Sequence, residues 1–142
     1  MKKFITAVLL ALVFACFSSC LRAEVPYHNG ITYFNKGNYT LSIANFTEAI
    51  RLEPKYTDAY LGRGNAYLYK KEYDKAIEDY NHTLVLDPEK AEAYLYRGVA
   101  YDNKGDRSQA TADWNTALKF DPDSKIIKQT IEHARQTIRE TP

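Results

Sequence analysis

The side chains in this 142-residue chain best suited to metal or nucleophilic chemistry are three histidines and two cysteines. His28, His82 and His133 are far apart, and none is expected to have a cysteine, histidine or carboxylate at metal-ligating spacing on its own helix face; each reads as a surface or groove-edge residue. Cys16 and Cys20 both fall within or just after an apolar leader, so the rest of the chain has no thiol for a disulfide, a nucleophile or a cysteine metal site. A glycine-rich phosphate loop, a nucleophile elbow and a paired-carboxylate motif are all missing. The expectation is a protein that is not an enzyme and takes no cofactor or metal.

The elements that would position any site are set by a period. Tyr60-x-x-Arg63-Gly64-x-Ala66-Tyr67 returns 34 residues later as Tyr94-x-x-Arg97-Gly98-x-Ala100-Tyr101, and Asp87-Pro88 returns as Asp121-Pro122. A weaker copy precedes them, with Gly30, Tyr33, Phe46, Ala49, Leu52 and Glu53-Pro54 in the corresponding places. The units are 23–56, 57–90 and 91–124. Within each, apolar residues recur at helical spacing over two segments separated by a short polar turn such as Lys70-Lys71-Glu72 or Lys104-Gly105-Asp106. Two antiparallel helices per unit follow, and Pro54, Pro88 and Pro122 must end the second of each pair, with the acidic residue before each proline capping the turn.

Gly64 and Gly98 fall in mid-helix, where glycine costs about 1 kcal/mol against alanine. Close helix approach is the expected compensation, with Gly64 facing Ala76, Gly98 facing Ala110 and Gly30 facing Ser42. Tyr67, Tyr80, Tyr101 and Trp114 then fill the seam. Residues 125–142 are expected to cap the array with a helix whose apolar stripe is Ile126, Ile127, Ile131, Ala134 and Ile138. The fold class is therefore an all-α solenoid of three helix-turn-helix repeats plus a C-terminal capping helix.

The first 23 residues read differently. Lys2 and Lys3 precede the apolar run Phe4 to Phe17, a charged start and short apolar core of secretory type, too short for the roughly 20 residues that span a bilayer. Phe17-Ser18-Ser19-Cys20 resembles a bacterial lipobox, which would make Cys20 the lipidated first residue; cleavage after Ala23 is the alternative. Export to the periplasm or the outer membrane as a lipoprotein is expected, with secretion as the other outcome. Any membrane association would come through that lipid anchor alone. Of 19 basic residues, Lys2, Lys3 and Arg22 lie in the leader, so the remainder is slightly acidic against 18 carboxylates and carries no nucleic-acid footprint.

The quoted repeat residues resemble the tetratricopeptide repeat over 23–124. Pro26 departs from the pattern, standing where an aromatic residue is usual, and predicts a first helix that starts late and packs loosely. The resemblance implies a superhelix whose first helices line a concave groove that binds a partner's peptide or helix.

Of 12 tyrosines, the resemblance places Tyr33, Tyr39, Tyr60, Tyr67, Tyr73, Tyr80, Tyr94 and Tyr101 in the core. It turns Tyr27, Tyr56, Tyr69 and Tyr96 to the groove or to the links leading into its helices. Tyrosine is enriched at binding hot spots, so these four are candidates, against the plainer reading that they pack on adjacent helices. Around them repeat one contributes His28, Ile31, Phe34 and Asn35, repeat two Asp58, Leu61, Asn65 and Leu68, and repeat three Glu92, Leu95, Val99, Asp102 and Asn103. By the resemblance, Asn65 stands where an asparagine hydrogen-bonds a ligand's backbone.

Family members that clamp a terminal carboxylate do so with lysine, arginine and asparagine; the matching places here hold Tyr27, Ile31, Gly62, Glu92 and Tyr96. A neutral or basic apolar segment is thus the better expected ligand, and a monomer the expected state. The alternatives are a self-associating structural adaptor and a carrier of small hydrophobic ligands in a transport system. Asn38-Tyr39-Thr40, Asn45-Phe46-Thr47 and Asn81-His82-Thr83 match the glycosylation pattern but read as accidents of helix composition.

Overall fold

Proline and glycine punctuation sets where the helices stop. The computed structural model describes residues 22–140, as α1 (22–35), α2 (Tyr39–Leu52), α3 (Thr57–Tyr69), α4 (Tyr73–Leu86), α5 (Ala91–Asn103), α6 (Arg107–Phe120) and α7 (Lys125–Glu140). Cys16 and Cys20, and with them the lipidation and export readings, lie outside the described residues. Helices α2, α4 and α6 end two residues before Pro54, Pro88 and Pro122. In the turns that follow, Glu53 accepts from the Lys55 amide at 3.1 Å and Asp87 from the Glu89 amide at 3.2 Å, the capping expected of acidic residues before proline.

Inside each repeat the turn is one motif used three times. Gly37, Lys71 and Gly105 have φ of 73°, 63° and 89°, and the amide after each reaches back to the carbonyl of Tyr33, Tyr67 or Tyr101 at 2.9 Å. Glycine is free to adopt this left-handed backbone, whereas Lys71 does so against its own Cβ. All three sequon asparagines take part in helix chemistry: Asn38 caps α2 by accepting from the Leu41 amide at 3.1 Å, Asn81 accepts from Arg97 at 2.6 Å, and the Asn45 Nδ2 donates to the Leu41 carbonyl at 2.9 Å.

Packing runs along one axis. Among α2 to α7, helices touch only their neighbours and next-but-one neighbours. The core forms three clusters in series, around Phe46 and Ala49, around Tyr80 and Ala76, and around Trp114 and Leu95. The bare glycine backbones receive aromatic rings in each cluster. A methyl built on Gly64 would lie 2.8 Å from the Tyr80 ring, on Gly98 2.5 Å from the Trp114 Nε1, and on Gly30 and Gly62 2.8 and 2.6 Å from Phe46. The expected pairings survive in part. Ser42 donates to the Gly30 carbonyl at 2.9 Å and the Ala110 carbonyl lies 3.1 Å from Gly98's missing methyl, but Gly64's nearest neighbours are Tyr80 and Asp79, not Ala76. The ring, the largest object in the seam, takes the space that the small residue was expected to fill.

Two further expectations are corrected. Helix α1 is formed from residue 22 with Pro26 inside its span, so it neither starts late nor packs loosely. Proline there removes one backbone donor and crowds the carbonyl one turn back, but Phe46, seated against Gly30, together with Tyr27, at 4.7 Å from Tyr56, holds the helix down. In the cap, Ile127 and Ile131 are buried, but Ile126 is 64% exposed. One residue along a helix is a rotation of about 100°, which carries Ile126 off the buried stripe. The side chain of Ile138 lies outside the described residues. Of the eight tyrosines assigned to the core, only Tyr80 is fully buried; the hydroxyls of Tyr60 and Tyr94 donate to the Pro54 and Pro88 carbonyls at 3.3 and 3.1 Å.

An unanticipated clamp ties each pair of repeats. Arg63 of α3 donates twice to Asp79 of α4, at 2.8 and 2.7 Å, and once to Thr47 of the preceding repeat at 3.1 Å. Arg97 does the same one period on, with Asp113 at 2.8 and 2.7 Å and with Asn81. Asp79 and Asp113 are 2% and 7% exposed, so these forked pairs are buried and charge-assisted. Burial pushes the Asp79 carboxyl up, against the opposing pull of Arg63, while the hydrogen bond to Asp79 raises Arg63.

Two stability changes are expected. Lys71→Gly removes a left-handed strain of about 1–2 kcal/mol and adds back about 0.5–1 kcal/mol of unfolded-chain entropy, so it should raise stability by about 0.5–1 kcal/mol in denaturant unfolding. Gly98→Ala gains about 1 kcal/mol of helix propensity but overpacks a rigid indole by about 2–3 kcal/mol, and should lower stability by about 1–2 kcal/mol. A neutral or stabilising Gly98→Ala would show that the ring does not press on the backbone.

Candidate functional site

The first helices of the repeats, α1, α3 and α5, stand side by side because each is braced from behind by its partner helix. Their open face carries two cavities. The first, of about 300 Å³, is lined by Tyr27, Ile31 and Phe34 of α1, Asp58, Leu61, Gly62 and Asn65 of α3, and Glu92 of α5, with Phe46 behind it. The second, of about 500 Å³, is lined by Leu68, Tyr69, Tyr96, Val99 and Asn103, joined by Lys71, Tyr73 and Thr130 of the cap.

Most residues expected in the groove are therefore brought together, though divided between two depressions. Leu95 is not among them: it is 1% exposed and belongs to the third core cluster. Its position on α5 turns it inward, so it offers nothing to a partner. Asp102 is half-buried and lines neither cavity. Thr130 of the cap was not expected in the groove and had a signal, since it lies one period beyond Tyr96.

Tyr69 is the most open of the four surplus tyrosines, 59% exposed, stacked on Tyr39 at 5.3 Å and edge-on to Phe34 at 5.2 Å. Tyr96 lies beside Tyr80 at 6.4 Å. Tyr27 and Tyr56 pack on each other, and the Tyr56 hydroxyl donates to Glu24 at 3.3 Å. Packing on adjacent helices thus accounts for Tyr56, while Tyr27, Tyr69 and Tyr96 also line the cavities.

Asn65 connects core to groove. The Tyr80 hydroxyl donates to its Oδ1 at 2.8 Å, which fixes the amide and leaves its NH2 group at the first cavity. One period on, Val99 stands in Asn65's place and has no acceptor, and the Trp114 Nε1 is buried with no hydrogen-bond partner among the described residues.

The field at the first cavity is negative. Glu24, Asp58 and Glu92 occupy equivalent places in the three repeats, and the ammonium of Lys90 pairs with Asp58 at 2.9 Å. Burial, then Asp58, raise the Tyr27 phenol, with Lys90 opposing and Glu24 and Glu92 adding to the rise. Burial and then Glu92 raise Tyr96 as well. Glu92 itself is exposed and makes no hydrogen bond or ion pair with the described residues.

The histidines need one correction. His28 does have a carboxylate at helical spacing, Glu24, at 3.2 Å. No group of three or more potential metal ligands occurs among the described residues. His82 stacks on Tyr60 at 5.2 Å at the outer surface. No helix among the described residues is long and apolar enough to cross a membrane.

No curated protein matches the chain. Among solved structures, the TPR domain of Arabidopsis OM64 is similar at a TM-score of 0.78 and 25% identity, over 84% of this chain and 98% of that one. The first TPR of Spaghetti (RPAP3) bound to the HSP90 peptide SRMEEVD matches at 0.76 and 24% identity, over 83% and 96%. MamA protein matches at 0.67 and 35% identity, over 70% of this chain and 55% of that one. The family model described as TPR repeat matches residues 30–71 and 64–105, and that described as tetratricopeptide repeat matches 91–124. With its stacked hairpins, glycine-seated rings and one open wall of first helices, the chain belongs to the tetratricopeptide repeat family.

Proposed function

We propose that this protein is a non-enzymatic interaction module of the cell envelope, which docks a peptide or helix of a partner protein in the groove formed by α1, α3 and α5. The observation that carries the reading is the pair of cavities on one face, lined by Tyr27, Tyr69 and Tyr96 with an oriented Asn65 between them. Broad aromatic faces beside a fixed amide suit an extended segment with apolar side chains. Structures of the same fold in complex with HSP90 and HSP70 peptides support the mode of binding.

They do not transfer the ligand. The HSP90 peptide ends in Glu-Glu-Val-Asp, whereas the places that would clamp a terminal carboxylate here hold Tyr27, Ile31, Gly62, Glu92 and Tyr96. A carboxylate would meet Glu92 and Asp58 there.

The envelope placement is supported by the Phe17-Ser18-Ser19-Cys20 segment. Ala23 adds to it: the residue is fully buried in α1, and a chain beginning at a lipidated Cys20 keeps it, whereas cleavage after Ala23 removes it. Self-association through α7 is the second reading, favoured by the exposed Ile126 on that helix. A concentration-dependent dimer in light scattering would favour it over peptide docking.

Photo-crosslinking from position 69 should capture the partner, and Tyr69→Ala or Tyr96→Ala should weaken its binding by about 2 kcal/mol, roughly 30-fold. Unchanged affinity in both single variants and in the double variant rejects the groove as the site. Separately, mass spectrometry of the mature N-terminus should find an acylated Cys20; an unmodified start at Glu24 would remove the membrane tether.

A further inference from the structure

The first cavity has a chemistry of its own. Its volume of about 300 Å³ equals roughly ten water molecules at about 30 Å³ each, room for one large side chain and too little for a folded element. Its lining combines the apolar faces of Tyr27, Ile31, Phe34 and the buried Leu61 with the carboxylates of Asp58, half-buried, and Glu92, exposed. An aliphatic stem with a cationic tip matches that division.

The carboxylates are only partly neutralised from within. Lys90 is the cation paired there, and it engages Asp58 at 2.9 Å. Glu24, the carboxylate one repeat upstream, is held by the Tyr56 hydroxyl and His28. Glu92 is exposed and is in no hydrogen bond or ion pair with the described residues, although its charge is felt at Lys90, whose ammonium is spent on Asp58. The acidic row runs across the first turns of α1, α3 and α5 and ends one period on at Ile126, so the negative charge lies along that edge of the groove, while the second cavity is predominantly apolar. Resting on the groove reading, and deepening it, we infer that the first cavity receives an arginine or lysine side chain of the docked segment, its stem on Tyr27 and Phe34 and its tip on Glu92, while apolar neighbours occupy the second cavity.

The test uses the full chain and an acetylated, amidated peptide Gly-Ser-Leu-Xaa-Leu-Ser-Gly in which Xaa is arginine, norleucine or glutamate, read by calorimetry at low salt. Arginine should bind about 5-fold more tightly than norleucine, with glutamate weakest. Glu92→Gln should erase the arginine advantage over norleucine, and Lys90→Met, which removes the competing ammonium, should enlarge it. Glu92 is exposed and Lys90 is half-buried at the start of α5, so thermal unfolding followed by circular dichroism verifies that both variants fold. Equal affinity for arginine and norleucine overturns the inference and leaves the groove reading standing. Preference for glutamate overturns it in favour of an acidic segment. Failure of all three peptides to bind overturns the inference and the groove reading together. A dimer that Glu92→Gln weakens would assign the cavity to a second copy of the chain, and overturns the inference as well.

Discussion

One constraint organises this molecule: a large aromatic ring in each repeat is seated on bare helix backbone. Phe46, Tyr80 and Trp114 each press where a Cβ would be 2.5 to 2.8 Å away, so the facing helix must carry glycine and the two helices approach closely. The glycine is costly for helix formation, and the seam is the reason it is kept. Where no second helix presses, the requirement lapses: Glu132 stands one period beyond Gly98, exposed on the cap. Closeness of the paired helices in turn aligns α1, α3 and α5 into a common wall.

That same ring reaches the functional face. Tyr80 is buried, yet its hydroxyl holds the Asn65 amide at the first cavity. In repeat one the pair is Phe46 with Ile31, both apolar; in repeat three it is Trp114 with Val99, which leaves an indole N–H unmatched. The three repeats are thus alike in shape and different in polarity at the ring's tip, and only in the middle one does the ring orient a hydrogen-bonding group at the groove. Charge is divided with similar economy. Arg63 and Arg97 commit their guanidinium groups to buried carboxylates of their own repeats and to Thr47 and Asn81 of the preceding ones, away from the groove. Carboxylates remain there instead.

Much of the fold was legible because it rests on short-range rules repeated at a fixed period. Prolines ended helices where expected, and the polar turns fell at Lys70-Lys71-Glu72 and Lys104-Gly105-Asp106. The misreadings are of faces more than of elements. Ile126 falls on the outer face of a correctly placed helix, since a shift of one residue turns a side chain by about 100°, whereas Leu95, one period after the cavity-lining Leu61, is covered by the third core cluster. Pro26 stands inside α1 despite a lost donor and a crowded carbonyl one turn back, together about 3 kcal/mol, because the packing of Tyr27 and Phe46 holds the helix in place. The arginine clamps were visible in principle, as Arg63 with Asp79 recurs as Arg97 with Asp113, but spacing of sixteen residues joins two helices and becomes a contact only after the hairpin closes.

The sequence by itself determined the number of helices, their order, their ends and the period of the stack, because backbone restriction at proline, left-handed turns and helical hydrophobic spacing act over a few residues at a time. Tertiary structure decided which small residue meets which ring, which tyrosines keep an open face, and how one groove divides into an apolar cavity and an acid-edged one. Those features depend on how three first helices are rotated about their own axes when their partners press from behind, and no local rule sets that rotation.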